Sequence, residues 1–351
     1  MRGALVGAAV GTAIASLPID PNTGMINTNA MRRFLDSQGQ SCVLNTSGEK
    51  VHTNAPALLR YDEWKDLDRR VIAVATQRLV GIADLISRGL THSLGSIGVT
   101  IAQWERSSDM TEAEASMSGI SKGEEDTPSF DTQFVPVPII HKDFRVNIRR
   151  LEASRRMGES IDTIAADIAA RRVAEKSEDM LFAGLPIQVD GGTIYGYTTH
   201  PNRNTIDLAE QWDNPSTTGQ DIIEDVQAML AAARADRYYG PYELYIPGTY
   251  EGVLDSDFAP ASGDTRTIRQ RIMQLSGIAG ITVADRLADD NVLLIQMTSD
   301  VVDLAMARDI NTVQWQVDGG MQERFKVMAV WVPRIKSDFD GRSGIVHLRP
   351  A

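Results

Sequence analysis

Residues 159–186 have the sequence ESIDTIAADIAARRVAEKSEDMLFAGLP, and this stretch decides the fold. Its apolar residues recur at three- and four-residue steps, which predicts one helix over residues 159–183, with Ser160 as its cap and Gly184 at its end. At 1.5 Å per residue such a helix is about 36 Å long, which is more typical of a structural spine than of a small enzyme domain. Its buried stripe is expected to contain Ile161, Ile164, Ala165, Ile168, Ala169, Val173, Met180 and Leu181.

A polar, acidic segment with strand-like flanks lies upstream of this helix. Residues 99–104 alternate apolar and polar side chains, and residues 134–140 are mostly apolar. Between them, residues 105–132 contain almost no core-forming side chains. This pattern predicts a long protruding hairpin, in which Pro136 and Pro138 keep one strand away from a central sheet position.

The first part of the chain has little periodic pattern. Residues 3–17 are apolar and uncharged, a pattern shared by signal peptides and by arms that pack on another surface. Residues 20–56 are rich in Asn, Gly, Ser, Thr and Pro, so we interpret residues 1–58 as an N-terminal arm that other copies of the chain order. Residues 61–89 then predict a helix that is broken at Gly81.

Downstream of the long helix, helix and strand signals alternate. Thr218 and Asp221 predict a capping box at the start of a second helix. The expected elements after it are strands at 242–246, 281–284, 292–297, 301–306, 312–317 and 324–332, short helices near 249–254 and at 264–275, and a short strand at 344–348 that pairs with the last long one. This order predicts an α+β or α/β module with a mixed sheet.

Composition and charge exclude several classes of function. The 351 residues carry 35 basic and 47 acidic side chains, and the net charge of −12 argues against a protein that coats DNA through phosphate contacts. The single cysteine, Cys42, excludes an internal disulfide and a cysteine metal cluster. The five histidines lie far apart, no nucleotide-binding or hydrolase motif occurs, and no apolar run is long enough to span a bilayer. The sequence therefore predicts no metal, no cofactor and no membrane partner.

Aspartate groups offer the main local argument for catalysis. Asp300 with Asp303, and Asp285 with Asp289 and Asp290, have the spacing of paired carboxylates in acid–base or metal sites. Such groups between strands are usually polar turns, so we interpret them as turns. The chain is therefore expected not to be an enzyme.

Four segments together resemble one family of shell proteins. They are YDEWKDLD at 61–68, FVPVPIIHKDF at 134–144, LEASRR at 151–156 and EKSEDMLFAG at 175–184. In this order they resemble the HK97-type major capsid proteins of tailed bacteriophages and the encapsulins that share their fold. The resemblance implies an α+β HK97-like subunit that self-assembles into the icosahedral head of a tailed bacteriophage and encloses its double-stranded DNA. The alternatives are an encapsulin shell around protein cargo and a soluble enzyme of unknown chemistry.

The resemblance also divides the chain into named parts. It implies an N-terminal arm at 1–58, a P domain with the spine helix at 59–96, 142–190 and 323–351, an extended E-loop hairpin at 97–141, and an α/β A domain at 191–322. Only about sixty residues precede Tyr61, too few for a built-in scaffolding segment, so a separate scaffold protein is expected. Lys122 is the only lysine of the hairpin tip and has no assignable partner, so a covalent crosslink is not expected.

The other implied partners follow from the same family. They are copies of the chain in hexamers and pentamers, a portal, a decoration protein, and packaged DNA that the shell interior contacts non-specifically. Assembly is expected in the cytoplasm of a bacterial host, and the final location is the capsid of the virion.

Opposite charges lie on adjacent segments of the chain. Residues 95–142 contain eight acidic and three basic side chains, whereas residues 143–158 contain five basic and two acidic ones. We therefore expect the acidic tip of one copy to lie over the basic segment of a neighbour, where charge fixes orientation more than affinity. The expected contact residues are Glu112, Glu114, Glu124, Glu125 and Asp126 on the tip, and Arg149, Arg150, Arg155 and Arg156 on the receiving side. The alternative is that these arginines make solvated or intrachain pairs that contribute little.

Overall fold

The computed structural model describes most of the chain beyond residue 66. The described residues are 79–113, 125–150, 164–259, 264–318 and 321–350, the short segments 34–35, 41–44, 50–52 and 69–75, and positions 67, 115, 117 and 153. Two compact units are present. One comprises Met1–Asp66, Val146–Ile161 and Gln316–Glu323, and the other comprises Leu67–Arg145, Asp162–Trp315 and Arg324–Ala351.

Helices and strands alternate along the described residues of the chain. The helices are α1 (Gly81–Ser87), α2 (Ile164–Ala183), α3 (Gly219–Ala235), α4 (Glu251–Leu254) and α5 (Ile268–Met273), and residues 69–75 are also helical. The strands are β1 (Phe34–Leu35), β2 (Ser41–Leu44), β3 (Lys50–His52), β4 (Thr91–Ser93), β5 (Ile101–Ser107), β6 (Phe130–Pro136), β7 (Ile139–Asn147), β8 (Gly184–Val189), β9 (Gly192–Tyr195), β10 (Asn204–Leu208), β11 (Tyr242–Ile246), β12 (Asp257–Ala259), β13 (Asp264–Thr267), β14 (Ile278–Val283), β15 (Val292–Gln296), β16 (Val302–Val317), β17 (Gln322–Ile335) and β18 (Ile345–Pro350). Among the described residues, no helix is long and apolar enough to cross a bilayer.

The long helix α2 is present, but its buried face differs from the predicted one. The side chains that face the core include small ones, namely Ala166, Ala170, Ala174 and Ser177. Ile164 and Ile168 were expected in the buried stripe and are 64% and 45% exposed, so that part of the prediction is wrong. At the other end of α2 the packing is close, since a Cβ added at Gly81 of α1 would lie 2.6 Å from Leu181 Cδ2. The predicted start of the helix, with Ser160 and Ile161, lies outside the described residues.

A five-stranded mixed sheet carries one hydrophobic core of the described residues. Its strand order is β10-β18-β15-β11-β14, with parallel pairs at both edges and antiparallel pairs in the centre. Helices α3 and α5 pack on it around Trp212, Tyr242 and Leu244. The capping box predicted at Thr218 and Asp221 is confirmed at the start of α3. The predicted module of helices on a mixed sheet is therefore present.

Three sequence predictions in this region need correction. The strand at 344–348 was expected to pair with the long strand 324–332, but β18 lies between β10 and β15. Its first four residues are all buried, which requires a covered position inside a sheet. The two strands expected at 301–306 and 312–317 form one continuous strand, β16. Helix α5 is shorter than expected: the Thr267 capping box starts it at Ile268, four residues after the predicted 264, and it ends at Met273, two residues before the predicted 275.

The predicted hairpin is present as β5 paired with β6. The strands are antiparallel, and the register runs from Ile101 opposite Pro136 to Ser107 opposite Phe130. Pro136 ends β6, and the chain then continues as β7 at the edge of a four-stranded sheet with the order β4-β16-β17-β7. The hairpin is thus joined directly to an edge strand of the body.

Candidate assembly site at the β5–β6 hairpin

The acidic tip lies where the sequence places it, at the end of the hairpin. Glu112, Glu125 and Asp126 are exposed. The Asp126 carboxylate accepts a hydrogen bond of 3.2 Å from the backbone N–H of Thr111, which links the two sides of the tip. The other two predicted acidic residues, Glu114 and Glu124, lie outside the described residues.

The receiving side is only partly described. Arg149 and Arg150 follow β7 and are exposed, and the Asn147 side chain accepts a hydrogen bond of 2.9 Å from the backbone N–H of Arg149. Arg155 and Arg156 lie outside the described residues. The predicted pairing with the acidic tip is one between copies of the chain, so it stays a prediction.

The tip also exposes apolar side chains that the charge argument missed. Phe130 at the end of β6 is 68% exposed, and Met110 and Met117 are exposed as well. The sequence feature that could have predicted this is Phe130, a large apolar side chain in the otherwise polar segment 105–132. The tip therefore combines negative charge with an aromatic side chain, the residue type that most often dominates protein interfaces.

One face of the hairpin is turned towards the body. Ala102 is buried and Trp104 and Arg106 are half-buried, whereas the residues between them are exposed. The register places Arg106 opposite Asp131, and the two form an ion pair of 2.7 Å between Nη2 and Oδ2. The hydrogen bonds from Arg106 and Gln133 lower the pKa of the Asp131 carboxyl group below its usual range. The charged pair therefore links the two strands on the inner face.

Arg334 contacts strand β5 near the inner end of the hairpin. This end, where Ile101 lies opposite Pro136, is called the root. It lies on β17, and its guanidinium group makes two hydrogen bonds of 2.6 Å to the carboxylate of Asp303 on β16. Another of its nitrogens, Nη1, donates a hydrogen bond of 3.4 Å to the backbone carbonyl of Gln103, and the group lies 5.9 Å from the ring centroid of Trp104. Arg334 therefore connects the four-stranded sheet to strand β5.

Two weaker contacts follow towards the tip. Arg106 donates a hydrogen bond of 3.5 Å to the carbonyl of Asp338 and lies 5.7 Å from the ring centroid of Phe339. Further out, Arg237 forms an exposed ion pair of 3.1 Å with Asp109. Arg334 and Arg106 therefore hold the inner half of the hairpin against the rest of its own unit, whereas the pair at Arg237 is exposed.

A cavity of about 320 Å³ lies beside this root. Trp104, Phe134 and Tyr195 contribute aromatic walls, and Asn202 and His200 lie at its other side. Burial, together with the smaller effect of the nearby Arg203, lowers the pKa of His200 to about 4, so this imidazole is neutral at pH 7. The cavity leaves part of the inner face of the hairpin without packing.

The motif EKSEDMLFAG has a structural explanation around helix α1. Glu178 is buried, and its carboxylate accepts hydrogen bonds from the backbone N–H groups of Gly81 at 3.1 Å and Ile82 at 3.0 Å. Burial raises the pKa of Glu178 to about 7, although these backbone hydrogen bonds lower it. Asp179 accepts two hydrogen bonds, of 2.6 and 2.8 Å, from Arg286. The motif therefore caps α1 and orients α2.

The other end of α1 is held by the five-stranded sheet. Arg88 donates a hydrogen bond of 2.6 Å to Glu243 on β11, and Tyr245 donates one of 2.7 Å to Asp84. Thr282 donates a second hydrogen bond of 2.6 Å to Glu243. Burial raises the pKa of Glu243 above its usual range. We call α1 with Glu178 and this network the α1 junction.

Two of the five aspartates weighed for catalysis, Asp303 and Asp290, are held in structural contacts. Asp303 pairs with Arg334, and Lys336 lies 2.7 Å from the same carboxylate. Asp290 accepts hydrogen bonds of 2.8 Å from Tyr250 and from Gln211, in a turn where its φ is 61°. In the described part of the chain, no three histidine, cysteine, aspartate or glutamate side chains are placed to hold a metal ion.

Comparisons with known proteins agree on one fold. The chain is 26% identical to the type 1 encapsulin shell protein EncA of Myxococcus xanthus over 289 residues, which cover 79% of this chain and 90% of that protein. A virus-like particle from Pyrococcus furiosus has a TM-score of 0.59 and 16% identity, with 82% of this chain and 98% of that one covered. The capsid of Myoviridae phage XM1 has a TM-score of 0.57 and 11% identity, with 78% and 92% covered.

The fold is therefore the HK97-type fold of capsid and encapsulin shell proteins, as the sequence predicts. A family model also matches most of the chain. The model of DUF6260, described as a family of unknown function, matches residues 54–348. On that match, the chain belongs to the DUF6260 family.

Proposed function

We propose that this chain is the repeating subunit of a closed icosahedral protein shell. The observation that carries the proposal is the likeness of about four-fifths of the chain to subunits of a virus-like particle and of a phage capsid. The relative with the higher sequence identity is also a shell protein, so a structural role is favoured over catalysis. The partners of each subunit are then further copies of itself, in hexamers and pentamers.

The hairpin fits this role as a contact between copies. Its tip presents Phe130 and the acidic residues Glu112, Glu125 and Asp126 to solvent. Residues 97–141 then act as the E-loop, residues 191–322 as the A domain, and the segment around Arg149 and Arg150 receives a neighbouring tip. Opposite charge sets the direction of approach, and the aromatic side chain contributes buried area.

For the contents of the shell we propose the head of a tailed bacteriophage, filled with double-stranded DNA. The likeness to the capsid of phage XM1 supports it. In that case a scaffold, a portal and a decoration protein complete the particle, which assembles in the bacterial cytoplasm. A nanocompartment around protein cargo is the second candidate, and the identity of 26% to an encapsulin shell protein supports that one.

Electron microscopy of the purified full chain tests the shell. Closed particles are expected in material from the native source, where any scaffold is present, and a small soluble oligomer there would contradict the proposal. Nuclease-resistant nucleic acid inside particles purified from the native source separates the two candidates, since a phage head contains DNA and a nanocompartment contains protein.

A charge exchange tests the contact. Reversal of Arg149, Arg150, Arg155 and Arg156 to Glu is expected to abolish particles while the subunit stays folded. Reversal of the five acidic tip residues to Lys in the same chain is expected to restore them, because the complementarity returns. Reversal of the exposed Arg308 alone serves as the control. Particles that form normally in the fourfold arginine variant would remove this contact from the proposal.

A further inference from the structure

Arg334 is an unusual support for a surface hairpin because it is buried. Only 5% of Arg334 is exposed, and its carboxylate partner, Asp303, is exposed to the same 5%. Taking an arginine and an aspartate out of water is unfavourable, and an apolar pair of similar volume often serves the stability of a fold equally well. A buried ion pair at this position therefore suggests a role in geometry.

Arg334 is not the only cation that compensates the negative charge of Asp303. Lys336 lies 2.7 Å from Asp303 Oδ2 and donates a second hydrogen bond of 2.6 Å to the carbonyl of Ser299. The carboxylate thus keeps a cation if Arg334 is replaced. What Arg334 alone supplies is the hydrogen bond to Gln103 and the contact with the Trp104 ring, and both belong to the hairpin.

At the root, strand β6 packs on the β8–β9 hairpin, where Phe134 and Pro136 lie close to Gly192, so what Arg334 adds is a fixed contact to strand β5. The cavity beside Trp104 and Phe134 removes packing from part of the inner face. The next cations along the hairpin are more exposed, since the side chains of Arg106 and Arg237 are 25% and 65% exposed and that of Arg334 is 6% exposed. An arginine with two hydrogen bonds to one carboxylate has a fixed plane, so it holds the strand that contacts its remaining face at a defined angle.

We propose that Arg334 is a positioning residue that sets the direction of the β5–β6 hairpin and, through it, the angle at which copies of the chain meet. The second half rests on the proposed shell function. Seven residues of strand span about 23 Å at 3.3 Å per residue, so a change of about 10° at the root moves the far end by roughly 4 Å. A displacement of that size alters which residues of a neighbour the tip reaches.

The test compares Arg334→Met with Arg286→Met in the full chain. Arg286 also makes two hydrogen bonds to one carboxylate, at 2.6 and 2.8 Å. Its partner is Asp179 on helix α2, so this pair does not contact the hairpin. Hydrogen–deuterium exchange reports the attachment of the hairpin, and electron microscopy reports the diameters of the particles.

For Arg334→Met we expect exchange in residues 99–107 and 130–138 to become about tenfold faster, with wild-type exchange in the five-stranded sheet. We also expect a broader or shifted distribution of particle diameters. Arg286→Met is expected to change neither. If Arg334→Met does not fold, Trp104→Leu removes the same contact from the hairpin side and is measured in the same way.

Each outcome decides one part of the proposal. Wild-type exchange at the hairpin in Arg334→Met would overturn the positioning role. Faster exchange with unchanged particle diameters would overturn the link to the angle between copies. If the wild-type chain forms no particles at all, the shell function fails, whereas the exchange measurement still decides the role of Arg334.

Discussion

The α1 junction and the hairpin both depend on charged side chains, but they bury those side chains to different extents. At the junction, Glu178 and Glu243 are buried and burial raises the pKa of both. Along the hairpin, exposure increases from Arg334 at the root to Arg237 near the tip. Buried groups fix one geometry inside the subunit because loss of a partner leaves a group unsatisfied. Exposed charged groups contribute little to the free energy of unfolding, and they remain available to contact another copy of the chain.

The largest effect on stability is expected at Gly184, where helix α2, which carries Glu178 of the α1 junction, ends and strand β8 begins. Its φ is +80°, and an added Cβ would lie 2.5 Å from the backbone oxygen of Ile194. We expect Gly184→Ala to lower the free energy of unfolding by about 4 kcal/mol in urea titrations, because backbone must move. Gly191→Ala is the control, since Gly191 has a φ of +88° but open space around it, and about 1 kcal/mol is expected. Equal losses would contradict the close approach at Gly184.

The second effect is a pH dependence at the junction. The pKa of Glu178 is raised from 4.5 to about 7, so the folded state binds this proton more tightly than the unfolded state does. The stabilisation is complete below pH 4.5 and is lost as pH rises through 7, a change of about 3 kcal/mol in the free energy of unfolding. Glu178→Gln is expected to abolish this change in urea titrations between pH 5 and pH 8.

The same measurement needs the wild type as its reference. Burial lowers the pKa of His200 and of His347 to about 4, so these two groups destabilise the fold as pH falls below 6.5. Their contribution is common to both chains and cancels in the difference between wild type and Glu178→Gln. A difference that stays constant from pH 5 to pH 8 would contradict the burial of an ionisable Glu178.

These two regions also separate what the sequence predicts from what it does not. The hairpin and the Thr218 capping box depend on neighbouring residues and on alternation along a strand, so both were predicted. Which side of α2 is buried depends on the elements that pack against it, which are distant in sequence, and the Ile164 and Ile168 assignments were wrong. The position of β18 failed for the same reason, because strand pairing is not local.

The candidate site was predicted in part. Charge patterning located the acidic tip, whose described residues are exposed as expected. Charge patterning did not predict the role of Arg334. A single arginine within an apolar strand does not indicate which distant residues it contacts. Phe130 was overlooked although its position in a polar segment was visible in the sequence.

The third prediction concerns Phe130 and sharpens the contrast between stability and association. Phe130 is 68% exposed in the subunit, so Phe130→Ser is expected to change the free energy of unfolding by less than about 0.5 kcal/mol. If the tip docks on a neighbour, the same change is expected to raise the protein concentration needed for assembly by about tenfold or more, because an aromatic anchor is lost. Light scattering against concentration measures this. Thr132→Ser, an exposed change on the same strand, is the control.

The smallest effect is expected at the outermost contact, between Arg237 and Asp109. Both side chains are mostly exposed, so the coupling energy from Arg237→Ala, Asp109→Ala and the double variant is expected to be about 0.5 kcal/mol or less. Thermal and urea unfolding of all four chains, under conditions that keep the subunits apart, give this number. A coupling above about 1.5 kcal/mol would mean that the outer hairpin is fixed to its own body, and the tip would then not be free to reach a neighbour. A coupling energy near zero would mean that the Arg237–Asp109 pair holds the hairpin only weakly. The direction of the hairpin would then be set by the contacts at its root.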